Sequence, residues 1–66
     1  MTKKQKDFFF STGRDIAKTM TCADALAYAK KLFSDADKQT CNHDHEQFTR
    51  MGMGAMDAYN DMGFNY

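Results

Sequence analysis

The sequence predicts an all-α protein. Val is absent, Ile occurs once and Leu twice, so the β-branched aliphatic residues that favour sheets are nearly missing. Ala occurs eight times and Met six, both good helix formers, and no Pro interrupts the chain. Apolar residues also recur at spacings of three and four in successive stretches, the period of one helix face. With 66 residues the chain makes a single small domain, residues 1–66.

The first helix is expected over about 3–20. Thr2 followed by Gln5 is a capping-box pattern, and Thr12 with Asp15 is a weaker one, so the helix starts at either place. Phe9, Ile16, Ala17 and Met20 fall on one face and are expected to point to the core. Gly13, on the same side, allows a neighbouring backbone to approach closely.

The second helix, about 22–38, is the clearest. Thr21 is a good N-cap, with Asp24 in the first turn where the helix dipole favours an anion. Cys22, Ala25, Leu26, Ala29, Leu32, Phe33 and Ala36 then form a continuous apolar stripe. Residues 39–43 read as a connector. Asp44 with Gln47 resembles another capping box and opens a third helix, about 44–62. Its stripe is Phe48, Met51, Gly52, Ala55, Met56, Tyr59 and Met62, with Gly63 expected as the left-handed terminating residue and Phe64 folding back on Tyr59. Gly52 and Gly54 lower helix propensity by ~2 kcal/mol together relative to Ala. Gly52 and Ala55 suggest close packing of another helix in return.

The aliphatic content is low, and a domain this small buries only ~60 % of its unfolded surface. Two or three amphipathic helices completed by dimerisation are the economical solution. Charge is uneven along the chain: residues 1–20 carry five basic and two acidic groups, net +3, and residues 41–66 carry one and four, net −3. The two ends therefore attract, within a chain or between chains.

No apolar run reaches the ~18 residues of a membrane span. The basic start is followed only by Phe8-Phe9-Phe10, short of the ~7–15 apolar residues of a signal peptide, so a cytoplasmic protein is expected. The chain is too short for a cleft with its own supporting shell, and an enzyme is not expected. Cys41-Asn42-His43-Asp44-His45 groups ligand-type side chains, but the spacing matches no recognised metal motif. An intervening helix of 22–38 would also hold Cys22 ~24 Å from that cluster. Cys41, His43 and His45 are thus weak metal candidates, and no metal, cofactor or disulfide is expected.

Two surfaces remain for a macromolecular partner. Three consecutive Phe span 200° of a helix, so Phe8 falls on the polar line of Thr12 and Asp15, away from the core. Exposed aromatics and adaptable Met side chains suit interfaces. Phe8, Phe9, Phe10, Met53, Met56 and Tyr59 are the candidate interface residues. The leading expectation is a small non-catalytic interaction or regulatory protein, a homodimer, of the kind found as phage or mobile-element accessory factors acting on host proteins. The alternative is nucleic-acid binding by Lys3, Lys4, Lys6, Arg14 and Lys18 with the Phe residues interleaved.

Overall fold

The computed structural model describes residues 1–63 and shows a small all-α bundle of three helices. Helix α1 spans Lys3–Lys18, α2 spans Cys22–Lys38 and α3 spans Asn42–Gly63. The start of α1 is decided by Thr2. Its hydroxyl accepts from the Gln5 N–H at 3.2 Å, and Gln5 Oε1 accepts from the Thr2 N–H at 3.0 Å, a complete capping box. Thr12 is interior to the helix and donates its hydroxyl to the Phe8 carbonyl at 2.8 Å.

Helix α1 ends two residues earlier than expected. Thr19 closes it, its hydroxyl donating to the Ile16 carbonyl at 2.7 Å. Thr21 then caps α2 by accepting from the Asp24 N–H at 3.2 Å. Lys18 and Lys38 lie in the last turns of α1 and α2, where a cation meets the negative end of the dipole. Helix α3 begins before Asp44, with the Cys41 carbonyl accepting from the His45 N–H at 2.9 Å. Asp44 is therefore a first-turn residue, not the cap. Gly63 also departs from expectation. It is helical, and no described glycine has positive φ, so no left-handed glycine ends α3 among the described residues. The expected Phe64 contact lies outside them.

Helix α3 is the shared element. It packs along both α1 and α2, whereas α1 and α2 barely touch each other. Lys6 meets Glu46 and Arg14 meets Asp57, so α1 and α3 run parallel; Phe33 meets Gly52 and Ala36 meets His45, so α2 runs opposite to α3. Extents of 38 × 24 × 15 Å fit a thin layer with α3 in the middle.

The core is built from small residues. Ala17, Ala25, Ala29, Ala36, Ala55 and Ala58 are buried, and Leu32 is the one larger buried hydrophobic among the described residues. Gly13, Gly52 and Gly54 are buried with them. A Cβ on Gly54 would collide with the Phe10 carbonyl oxygen, and one on Gly13 with that of Met51. The two helices thus meet backbone to backbone, which only glycine permits at those points. Gly52 has a different role: it receives the Phe33 ring, 3.0 Å from where its Cβ would lie.

This close crossing selects the small residues of the face read in the sequence. Ile16, placed on the core face there, is 38 % exposed, while Gly13 and Ala17 occupy the contact. Phe9 and Phe10 are half-buried at its borders. Met20, Tyr28, Phe48, Met51, Met56, Tyr59 and Met62 pack around the Ala core from outside.

Gly54→Ala is expected to lower stability even though Ala favours helix by ~1 kcal/mol. Overpacking of ~1–3 kcal/mol exceeds that gain when the obstacle is backbone. Gly63→Ala is the control, because nothing among the described residues lies within 4 Å of its Cβ position. Thermal unfolding followed by circular dichroism should show a lower Tm for the first variant and an equal or higher Tm for the second.

Candidate functional site

Burial of small residues leaves the large apolar side chains at or near the surface. Phe8 is 64 % exposed, with its ring edge-on to Phe9 at a centroid separation of 5.5 Å. Met53 is 40 % exposed on α3. Met56 and Tyr59 are half-buried and pack against the Ala core, so they contribute their outer edges only. Of the six residues read as an interface, Phe8 and Met53 are the most open, and the Phe8–Phe9 pair is a direct contact among them.

The basic residues of α1 divide into two groups. Lys6 Nζ lies 3.2 Å from Glu46 Oε1. Arg14 pairs with two carboxylates of α3: its Nη2 donates to Asp61 Oδ2, and its Nε lies 3.1 Å from Asp57 Oδ2 without hydrogen-bond geometry. The opposite charges of the chain ends therefore meet across the α1–α3 seam within one chain. Each pair is part-exposed and screened by solvent, so it adds little to stability. Lys3, Lys4 and Lys18 remain exposed.

A shallow groove of about 570 Å³ runs along α3, lined by Asn42, His45, Glu46, Thr49, Arg50 and Met53. Spacings of three and four put these residues on one stripe of the helix. The His45 Nδ1 lies 2.8 Å from the Ala36 carbonyl. A carbonyl only accepts, so Nδ1 carries the proton and Nε2 of the neutral ring is the acceptor. This bond ties the end of α2 to the start of α3. Thr49 donates its hydroxyl back to the His45 carbonyl at 2.8 Å. Arg50 makes one long contact, 3.6 Å from Nη2 to Glu46 Oε1, and its buried Nε has no partner among the described residues.

Glu46 is held below the usual carboxylate range, first by the hydrogen bond from Lys6, which outweighs the opposing effect of desolvation, and then by the charges of Lys6, the chain N-terminus and Arg50. Burial raises the Tyr28 hydroxyl above its ordinary value.

The Cys41, His43 and His45 cluster does not assemble into a ligand set. Cys41 and His43 are exposed, His45 turns its Nδ1 to Ala36, and no group of three ligand-type side chains able to hold a metal occurs among the described residues. Both cysteines are free thiols, Cys22 half-buried and Cys41 exposed. No described helix is long and apolar enough to cross a membrane.

Sequence reasoning missed the groove. The Glu46–Arg50 pair at i, i+4 was a readable signal, but the approach of Lys6 to Glu46 depends on the packing of α1. Comparison with protein families, curated proteins and solved structures finds no match to this chain.

The shifted Glu46 gives a pH prediction. A lowered folded value means that its contribution is present above the ordinary 4.5 and is lost as pH falls below that, through the folded value. Urea unfolding in this acidic window should show a smaller loss of stability for Glu46→Gln than for the native chain, relative to each protein at pH 7.

Proposed function

We propose that this chain is a small non-catalytic interaction protein that binds another protein through its exposed aromatic and Met side chains, a second copy of itself included. The supporting observation is the inversion of the usual size order. The buried residues are Ala and Gly with Leu32 as the one larger side chain among the described residues, while Phe8 and Met53 face solvent. Large aromatic side chains dominate interface energetics when a partner desolvates them.

The total surface, 4436 Å², is close to the ~4,300 Å² that scaling gives for a monomer of this mass. Self-association is argued from Phe8 and Met53 as anchors and not from the area.

The nucleic-acid reading is weaker for a specific reason. Lys6 and Arg14, two of its five cations, are engaged by Glu46, Asp57 and Asp61, whose carboxylates would also repel a phosphate backbone.

Phe8→Ala removes an exposed ring and should leave helicity and Tm nearly unchanged. Sedimentation equilibrium from micromolar to millimolar protein should show association of the native chain and a loss of ~2 kcal/mol, roughly 30-fold in affinity, for the variant. A native chain that sediments at 7.6 kDa throughout would remove the self-association reading. Partner capture from the source cells that is the same for both proteins would remove Phe8 as the anchor. Binding that falls steeply with salt would favour nucleic acid instead.

A further inference from the structure

We propose that α1 is an exchangeable element: the chain forms a swapped dimer in which each α1 leaves its own α3 and docks on the α3 of a second copy. The partner is this same chain, and the surface is the α1–α3 seam. The exchange goes beyond the reading of Phe8 and Met53 as anchors and does not rest on it.

Three observations carry it. Helix α1 packs on α3 and barely touches α2, so the α2–α3 pair keeps its own contacts when α1 departs. The link between α1 and α2 is Thr19, Met20 and Thr21 alone. Thr19 is already in the right-handed helical region, at φ −83° and ψ −4°, and the Met20 N–H still donates to the Ala17 carbonyl at 3.1 Å. Thr21 is extended, at φ −68° and ψ 163°. Its φ is that of a helix, so its ψ must turn for α1 to run straight into α2. Finally, the chain has no Pro, and no Gly lies between Gly13 and Gly52, so the link holds no helix breaker.

The balance of the exchange is local. Every seam contact re-forms between chains: Gly54 at the Phe10 carbonyl, Gly13 at that of Met51, Lys6 at Glu46, and Arg14 at Asp57 and Asp61. In a continuous helix the N–H groups of Cys22, Ala23 and Asp24 gain the carbonyls of Lys18, Thr19 and Met20, the i→i−4 pairs that the bend interrupts. Lost are the Thr21 cap on the Asp24 N–H and the packing of Met20 on the Ala core. The closed and exchanged forms therefore differ at the hinge, and protein concentration shifts the balance between them.

Mixed labelling of the full chain tests this. Isotope-labelled and unlabelled chains are unfolded in urea, mixed and refolded at millimolar concentration. Sedimentation equilibrium should give twice 7.6 kDa. Isotope-filtered NOEs should join Phe10 of one chain to Gly54 of the other, and Gly13 to Met51. Position 21 then tunes the hinge. Thr21→Ala removes the cap of the bent form and favours helix, whereas Thr21→Gly keeps most of the capping and opposes a continuous helix. Two hinges open per dimer, so a cap worth about fivefold at each should make Thr21→Ala dimerise roughly 30-fold more tightly than the native chain, with Thr21→Gly close to native.

A native chain that stays at 7.6 kDa at millimolar concentration, a dimer whose seam NOEs all remain within one chain, or Thr21→Gly dimerising as tightly as Thr21→Ala would each overturn the exchange. Phe8→Ala separates it from the preceding reading, because it should leave the seam NOEs between chains intact. Association that disappears with Phe8→Ala while every native seam NOE lies within one chain removes the exchange and leaves Phe8 as the anchor.

Discussion

The close crossing of α1 and α3 is the constraint on which the rest of the structure depends. Gly13 and Gly54 remove two Cβ atoms at the contact, and each faces a carbonyl of the opposite helix. Backbones that approach so closely leave no room for large side chains between them. The buried layer is therefore Ala and Gly, and the Phe and Met side chains are displaced to the borders. The same proximity lets short ion pairs bridge the seam, with Lys6 reaching Glu46 and Arg14 reaching Asp57 and Asp61. Stability at this seam comes from dispersion between closely packed backbone and methyl groups, many small contacts instead of a few large ones.

The α2–α3 contact works differently. Only one partner is cut down to glycine, Gly52, and the space is filled by the Phe33 ring. Leu32 and the Ala25, Ala29 and Ala36 methyls form the buried face of α2. His45 and Gln39 both donate to the Ala36 carbonyl, which locks the connector between the helices. The groove lies on the stripe of α3 that also carries Glu46, so its charge is set by α1 through Lys6 and its shape by α3 itself.

The three helices were legible because Thr2, Thr21 and the apolar stripes are local signals that act through local hydrogen bonds. The boundaries of α2 were readable for that reason. The attraction between the basic and acidic ends was also readable as a charge difference, and it appears as the Lys6 and Arg14 pairs. The orientation of α1 was legible in part, through Gly13 and Ala17, but not at Ile16. A periodicity argument weights Ile16 and Phe9 as the most apolar residues, whereas the crossing selects the smallest, Gly13 and Ala17. Gly54 read as a cost to the helix, and its purpose appears only when the Phe10 carbonyl is placed against it. Gly63 resembled a left-handed stop, yet it is itself helical, with no positive φ. The Arg50 groove needs the distance of Lys6 from Glu46, a long-range contact that no local pattern carries.

The placement of α3 at the centre of the layer has a consequence for synthesis. Helices α1 and α2 emerge first from the ribosome, but they barely touch each other in the finished fold. Neither can bury its small-residue face until α3 has been made. Pairing of α2 with α3 is local, across a connector of three residues, and so closes early; docking of α1 must span the whole of α2 and comes later. Until that last step Phe8, Phe9 and Phe10 are presented on an undocked helix, a period of adhesiveness during which a chaperone or a neighbouring nascent chain meets the same aromatic triplet.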